Sequence, residues 1–386
     1  MTRKEFLKLS ALLGVGLPFQ TSLSACEKQI IQAGSNEKIL IIGAGAAGLS
    51  AGYLLKQKGI DFEILEASST IGGRMKQTRD FADFPIPLGA EWIHVEKEIL
   101  EEIVNDNSVT VNIQTKGYDH DVDYGLFEGQ QISVKQVGFD KDQKFINSTW
   151  FDFFETYIFP AVSGNIRFNT AVDTIDYSGE NVQITSGSQE FTADRVIVTV
   201  PLKMLQAGKI DFRPALPNKK QDAIAEATVW DGCKAFIEFS EKFYPTFIAF
   251  EISPETAGQK LYYDAAYGQN TSKHVLGLFA VGVGTEPYVK LSDEELKNYI
   301  LAELDAMFEG KASASYLKHR FQNWNEEPHI GGAYVYDHEN WRRVKRLGES
   351  VDDKLFFAGT AYTDGRDWGS VHAAARAARR VVDELT

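Results

Sequence analysis

K-I-L-I-I-G-A-G-A-A-G, residues 38–48, is the stretch of sequence that decides the fold. Its first five residues form a short apolar run rich in β-branched side chains, which is typical of a buried parallel strand. The glycines follow directly, and L-S-A-G-Y-L-L-K-Q-K-G (49–59) then has the apolar spacing of a helix and ends at a glycine. A strand, a glycine-rich turn and a helix in this order predict the opening of a βαβ unit.

The glycines of this turn have separate physical roles. Gly43 permits the tight turn, Gly45 lets the backbone approach a pyrophosphate, and Gly48 lets the helix pack closely against the strand. Ala46 and Ala47 open the helix, where free N–H groups and the positive end of the helix dipole would face the phosphates. These residues are therefore assigned to a dinucleotide.

An acidic residue at the end of the second predicted strand supports the same interpretation. The apolar run D-F-E-I-L leads to Glu66, whose carboxylate is placed to accept hydrogen bonds from ribose hydroxyls. The continuation E-A-S-S-T-I-G-G-R-M (66–75) resembles the E-A-x-x-x-x-G-G-R segment of FAD proteins in the glutathione-reductase-like superfamily. That resemblance implies FAD rather than NAD, with Arg74 as a planar cation near the cofactor. Two further residues of the segment are assigned to the cofactor, Ala67 and Gly73.

A second motif narrows the family. P-L-G-A-E-W-I-H (87–94) resembles the L-G-A-x-W-I-H segment of polyamine oxidases and related flavin-containing amine oxidases. In that family the segment passes near the flavin ring, so the resemblance assigns four of its residues to the cofactor: Gly89, Ala90, Glu91 and Trp92. His94 is either a proton carrier or a hydrogen-bonded structural histidine.

The resemblance continues in the middle of the chain. N-I-R-F-N-T-A-V-D-T-I-D-Y (165–177) followed by V-T-V-P-L is similar to the small β-meander and V-x-V-P-L signature of amine oxidases, and implies that Val172 contacts the adenine side of FAD. W-D-G-C-K-A-F-I-E-F (230–239) alternates like a strand and aligns with the segment that carries the family's flavin-facing lysine, here Lys234. The alternative for Lys234 is a surface lysine that extends to solvent.

W-N-E-E-P-H-I-G-G-A-Y (324–334) resembles the monoamine-oxidase segment with a tryptophan, a glycine pair, a cysteine and a tyrosine. Ala333 stands where the family's cysteine can bond to the flavin, so the resemblance implies non-covalent FAD. Tyr334 takes the position of an aromatic wall that orients the amine, or is a tyrosine of the core. Trp324 is assigned to the cofactor.

The last segment resembles the family's F-A-G-E…G-x-V-H-G-A element, in which the final helix directs its N-terminus at the flavin. Its cofactor contacts would be Gly359, Thr360, Ser370 and Val371. Thr360 replaces the usual glutamate, and Ser370 occupies a position that is aromatic in monoamine oxidases. Trp368 is the candidate for the missing second aromatic wall.

Composition excludes some partners. The 386 residues carry a formal charge of −14, so a nucleic-acid partner is not expected. The acidic field either favours cationic substrates such as amines or serves solubility alone. The two cysteines, Cys26 and Cys233, cannot build a disulfide framework or a zinc cluster, and no metal is expected.

The first residues are typical of an export signal. A charged start, an apolar stretch and L-S-A-C ending at Cys26 predict a signal over residues 1–26, a lipidated Cys26 and a tether over 27–37. The start T-R-K-x-F-L-K resembles a twin-arginine signal with Lys4 in place of an arginine, so general secretion stays open, as does an ordinary N-terminal helix. We expect a periplasmic or cell-envelope lipoprotein of a bacterium, in contact with the membrane only through this anchor.

Together the motifs predict an α/β protein, with a Rossmann-like FAD-binding domain interleaved with a shortened α+β substrate domain. The FAD-binding domain is predicted over 38–92, 160–228 and 327–386, and the substrate domain over 93–159 and 229–326. The resemblance implies an FAD-dependent enzyme that oxidises an amine by hydride transfer to flavin N5, with oxygen as acceptor and an imine and hydrogen peroxide as products. The alternatives are C–C oxidation, as in desaturases and protoporphyrinogen oxidases, or a non-catalytic flavin-binding lipoprotein.

Overall fold

The computed structural model describes residues 37–119, 121–128, 131–136, 142–250, 258–336, 340–365 and 369–386. The strands are β1 (Lys38–Ile42), β2 (Asp61–Leu65), β3 (Gln77–Thr78), β4 (Ile86–Pro87), β5 (Trp92–Ile93), β6 (Thr115–Gly117), β7 (Asp123–Glu128), β8 (Gln131–Gln136), β9 (Gln143–Phe145), β10 (Ile166–Arg167), β11 (Thr174–Asp176), β12 (Val182–Ser186), β13 (Gln189–Ala193), β14 (Arg195–Val198), β15 (Asp211–Arg213), β16 (Gly232–Phe239), β17 (Phe247–Phe250), β18 (Gly258–Asp264), β19 (His274–Gly282), β20 (Tyr316–Asn323) and β21 (Leu355–Phe357). The α-helices are α1 (Ala46–Gln57), α2 (Ile99–Val104), α3 (Trp150–Tyr157), α4 (Phe159–Val162), α5 (Leu202–Gln206), α6 (Asn218–Glu226), α7 (Asp293–Phe308), α8 (Lys311–Ser315), α9 (Trp341–Gly348) and α10 (Val371–Leu385).

A five-stranded parallel sheet in the order β10-β2-β1-β14-β21 forms the centre of the fold. Strand β1 is buried over its last four residues, because apolar layers cover both faces of the sheet. Helices α1 and α10 pack against each other on one face, and the Ala-rich face of α10 permits this close approach. The prediction of a Rossmann-like α/β fold is confirmed, since parallel sheets need helices to cover their faces.

The predicted β-meander covers the other face. Its sheet has the order β13-β12-β11-β15, and Ile175 and Ile184 are fully buried against the parallel sheet.

A buried lysine joins two helices next to this sheet. Lys220 of α6 donates to the carbonyls of Arg346, Leu347 and Glu349 at 3.2, 2.9 and 2.6 Å, at the C-terminal end of α9. Burial lowers the pKa of Lys220 to about 7, although Glu349 opposes the change.

A seven-stranded sheet in the order β20-β16-β19-β18-β17-β7-β8 forms the second part of the molecule. Every residue of β16 is buried, because α7 covers one face and aromatic residues around Trp92 cover the other. Strands β7 and β8 come from the segment between the P-L-G-A-E-W-I-H motif and the meander, so this short segment contributes two strands to the sheet. The residue boundaries predicted for the two domains stay a prediction.

Candidate active site

A cavity of about 950 Å³ extends from the glycine-rich turn after β1 to the surface of the seven-stranded sheet. This volume is at the upper end of the range for small-molecule and cofactor sites. The assigned residues that line it are Gly43, Gly45, Ala46, Ala47, Glu66, Ala67, Gly73, Arg74, Gly89, Ala90, Glu91, Trp92, Val172, Lys234, Trp324, Tyr334, Gly359, Thr360, Ser370 and Val371. The structure therefore brings together residues from the two ends and the middle of the chain.

The glycine-rich turn has the geometry of a phosphate-binding loop. Gly43 has a φ of +106°, a conformation that side chains disfavour. A Cβ on Gly45 would meet no protein atom within 4 Å, so this position opens into the cavity at the N-terminus of α1. A pyrophosphate fits there, since its oxygens would meet helix N–H groups without a side chain between them.

Gly48 is not among the residues that line the cavity, so a direct contact between Gly48 and the cofactor stays a prediction. A Cβ at Gly48 would lie 1.9 Å from the carbonyl oxygen of Gly43. Its role is to let α1 approach the turn, as the sequence argument for helix packing proposed. Gly48 thus allows the close contact between α1 and the turn that binds the phosphates in the sequence argument.

Glu66 is fixed by the backbone at the end of β2. One carboxylate oxygen accepts from the N–H of Ala44 at 2.6 Å and the other from the N–H of Ser68 at 2.8 Å. The hydroxyl of Ser68 also donates to this second oxygen, and because a carboxylate has about four acceptor positions, one remains for a ribose hydroxyl. Glu66 therefore joins the first and second turns at the nucleotide end of the cavity, where Val172 also lies.

Arg74 connects three segments of the cavity wall. Its guanidinium donates to the hydroxyl of Thr360 at 3.0 Å and to the carbonyl of Ala333. Burial lowers the pKa of Arg74 to about 10, so it stays charged at neutral pH. Sequence reasoning placed a cation here but did not find its partners, which lie far along the chain.

Contacts within the protein require a glycine at position 89, whether or not a cofactor is bound. A Cβ at Gly89 would lie 1.9 Å from the carbonyl oxygen of Arg74 and 2.8 Å from the indole of Trp324. That indole donates to the carbonyl of Leu88 at 3.0 Å. The sequence argument attributed the small residue to a nearby flavin ring, whereas contacts within the protein already exclude a side chain at this position.

The opposite wall contains a buried cluster of charges centred on Glu91. Lys234 donates to the carboxylate of Glu91 at 2.7 Å and to the carbonyls of Pro87 and Gly89 at 2.9 and 3.1 Å. Lys144 lies 3.3 Å from the other carboxylate oxygen, and the hydroxyl of Tyr263 also donates to Glu91. Lys234 is therefore a buried lysine at the cavity wall, and the alternative of a surface lysine is wrong.

Glu91 stabilises the charged form of Lys234, and the two lysines of this cluster stabilise the charged form of Glu91. Burial opposes ionisation of Glu91, but Lys234 and Lys144 outweigh it and hold the pKa of Glu91 below its usual range. Burial lowers the pKa of Lys234, and Glu91 opposes that change. Sequence reasoning missed Lys144, because β9 has only three residues and offers no periodicity from which burial could be read. It missed Tyr263 because β18 is buried at successive residues, so no alternation indicates which side chains face the cluster.

Aromatic side chains enclose the remaining space. Tyr334 lies against Trp230, with ring centroids 6.0 Å apart, and burial raises the pKa of its hydroxyl. Trp92 and Phe279 form the wall beside Lys234, with ring centroids 6.1 Å apart. Phe279 was missed, since the alternation of β19 does not show which face meets the cavity. Trp368 lies outside the described residues.

Two further predicted features are located by the structure. His94 lines the cavity, and its Nδ1 lies 3.0 Å from the carboxylate of Asp142. Ser370 lines the cavity and caps α10 by accepting from the N–H of Ala373 at 3.2 Å. His94 is thus hydrogen-bonded, and its role in proton transfer stays a prediction.

The cysteine chemistry supports a non-covalent cofactor. Ala333 lines the cavity and offers no sulfur to a flavin. Cys233 is 1% exposed, and burial raises the pKa of its thiol to about 12, so it forms little thiolate at neutral pH. Within the described residues no group of three or more His, Cys, Asp or Glu side chains could hold a metal ion.

A glycine-rich turn, an acid held by the backbone at the end of β2 and an aromatic cavity on a Rossmann-like sheet define an FAD-dependent oxidoreductase. The model of the NAD(P)-binding Rossmann-like domain matches residues 41–106, and the model of flavin containing amine oxidoreductase matches residues 160–386. The chain belongs to the flavin-containing amine oxidoreductase family, and FAD is its cofactor. The family predicted from the motifs is confirmed.

Similar proteins support the assignment over most of the chain. The probable polyamine oxidase 4 of Arabidopsis thaliana is 27% identical, with 87% of this chain and 84% of the relative covered. A solved putrescine oxidase with putrescine bound has a TM-score of 0.73 at 15% identity, covering 90% of this chain and 98% of that one. Cyclohexylamine oxidase from Brevibacterium oxydans IH-35A has a TM-score of 0.72 at 16% identity, covering 90% of this chain and 99% of that one. The solved structures show a common fold.

The predicted export signal and Cys26 lie outside the described residues. The described part begins at Glu37, which pairs with Arg195 at 2.8 Å directly before β1. No helix in the described part of the chain is long and apolar enough to cross a bilayer.

Proposed function

We propose that this enzyme oxidises a C–N bond of an amine, with oxygen as the final acceptor and an imine and hydrogen peroxide as products. One observation carries the proposal. The cavity is continuous from the phosphate-binding turn at Gly45 to a wall formed by Lys234, Tyr334 and Phe279. A dinucleotide that starts at the turn can therefore reach an aromatic chamber next to a buried lysine. FAD supplies the hydride acceptor in this chemistry.

The walls of the chamber select the form of the amine. Tyr334, Trp92 and Phe279 offer ring surfaces that exclude water, and the buried cation of Lys234 beside them disfavours a second cation such as an ammonium group. Glu91 is already matched by Lys234 and Lys144, and Glu327, which also lines the cavity, is matched by Lys76. An amine would therefore lose its proton before it binds, and the neutral amine is the form that can release a hydride.

The names of the similar proteins guide the choice of substrates for the test. The holoenzyme is mixed without oxygen with putrescine, longer polyamines, cyclohexylamine and other primary and secondary amines, and the absorbance of the flavin is followed. We expect at least one amine to bleach the flavin, and admitted oxygen to restore the absorbance with peroxide formed in equal amount. A flavin that no amine reduces would contradict amine oxidation. A flavin that is reduced but reoxidises without peroxide would contradict oxygen as acceptor.

We also propose that the protein is exported and held at the bacterial membrane through Cys26. The support is the sequence L-S-A-C after a charged and apolar leader. Residues 27–37, which follow Cys26 in the sequence, are the proposed tether between a lipid and the enzyme.

A further inference from the structure

The cluster around Glu91 contains one more cation than anions. Lys234, Glu91 and Lys144 have side chains that are each 3% exposed, so solvent does not screen them effectively. The nearby carboxylate of Asp264 is matched separately by Lys242 at 2.6 Å. Two lysines and one glutamate therefore leave one positive charge in the wall of the cavity.

The hydrogen bonds determine where each charge is held. An ammonium group has three donors, and Lys234 directs them at Glu91, Pro87 and Gly89. Lys144 donates to the carbonyl of Ala265 at 2.7 Å and lies 3.3 Å from Oε1 of Glu91, whereas Lys234 donates to Oε2. Lys234 lines the cavity, whereas Lys144 does not.

We propose that Lys144 is a positioning residue that acts through Glu91: it neutralises this carboxylate, so that the charge of Lys234 stays uncompensated beside the flavin. Without Lys144, Glu91 and Lys234 would form a neutral pair. With it, the wall presents a net positive charge to the ring, which gains negative charge on reduction. The inference rests on the proposed function only in placing the flavin ring at this end of the cavity.

Sulfite is a suitable probe, because it adds to flavin N5 and leaves negative charge on the ring without any amine substrate. We expect Lys144→Met in the holoenzyme to raise the sulfite dissociation constant at least tenfold. The two-electron reduction potential should become more negative by about 30 mV for each tenfold change in the equilibrium constant. Should Lys144→Met not retain FAD, Lys144→Gln carries the same prediction, since its amide donates hydrogen bonds without a charge.

Two further variants separate charge from structural damage. Glu91→Gln with Lys144→Met removes one charge of each sign, so it should bind sulfite more tightly than the single Lys144 variant. Lys220→Met removes a buried lysine that does not line the cavity and should leave sulfite affinity unchanged. Sulfite affinity that is unchanged in the Lys144 variants, or weakest in the double variant, would overturn the proposal.

The proposal about Lys144 and the proposal about amines fail separately. Sulfite binding and the potential require FAD but no amine, so they can support the role of Lys144 even if no amine reduces the flavin. An amine-oxidising enzyme whose Lys144 variants keep their potential would retain the proposed function and lose this inference.

Discussion

Replacing Gly45 and Gly48 separately with alanine tests whether the turn after β1 serves the cofactor or the fold. A Cβ at Gly48 would lie 1.9 Å from the carbonyl oxygen of Gly43, which is backbone and cannot rotate away. Overpacking costs about 1–3 kcal/mol and occasionally more, and this contact is well inside van der Waals distance. We expect Gly48→Ala to lower the free energy of unfolding by about 3 kcal/mol.

Gly45→Ala is the matched control, because its Cβ would meet no protein atom within 4 Å. Gly45 has a φ of −78° and stands at the N-cap of α1, so alanine costs the fold only about 0.5–1 kcal/mol. The new methyl group instead occupies the space that a pyrophosphate would approach. A loss of about 1.5–3 kcal/mol in binding corresponds to an FAD dissociation constant raised about tenfold to a hundredfold.

Two measurements distinguish the outcomes. Urea unfolding without FAD gives the stability of each variant, and an FAD titration followed by flavin fluorescence gives its affinity. The expected pattern is that Gly48→Ala loses stability and Gly45→Ala loses affinity. The reasoning is refuted if Gly48→Ala is as stable as the parent protein, or if Gly45→Ala binds FAD with unchanged affinity.

Three other predictions concern single residues. Lys234→Met should slow the reaction of the reduced flavin with oxygen by roughly tenfold or more, because it removes the charge at the ring wall; a stopped-flow rate unchanged from that of the parent would exclude this role. The pKa of Lys220 is lowered to about 7 in the folded protein, so between about pH 7 and 10 the unfolded chain binds more protons than the folded one. The free energy of unfolding should therefore rise with pH over this window. Urea unfolding of Lys220→Met should lack this component of the rise. Labelled palmitate should enter the protein in bacterial cells, and a Cys26→Ala protein that still incorporates label would disprove lipidation at Cys26.

Local motifs were the part of the fold that sequence could predict. The turn at Gly43 and the acid at Glu66 follow from steric and hydrogen-bonding demands within a short stretch of chain. The parallel sheet follows from the strand and helix that surround them. Each of these features depends on neighbours in sequence, so a single sequence contains the information.

The contacts that complete the site depend on distant residues. Arg74 meets Ala333 and Thr360, and no local pattern indicates that these segments adjoin. Lys144 is buried by β18, which lies more than a hundred residues further on. Gly89 illustrates a subtler limit, since the resemblance singled out the residue but the neighbours that exclude a side chain could be seen only in three dimensions.

The bonds of Arg74 also have a consequence for biosynthesis. Arg74 is made 286 residues before Thr360, and both border one cavity. The site therefore stays incomplete until the segment around Thr360 has been made and has folded, and FAD cannot meet all of the cavity wall before then. If export uses a route for folded proteins, the cofactor enters before the membrane is crossed; if it uses a route for unfolded chains, the cofactor must be met on the far side. The compartment in which flavin first appears on the protein would reveal which route the cell uses.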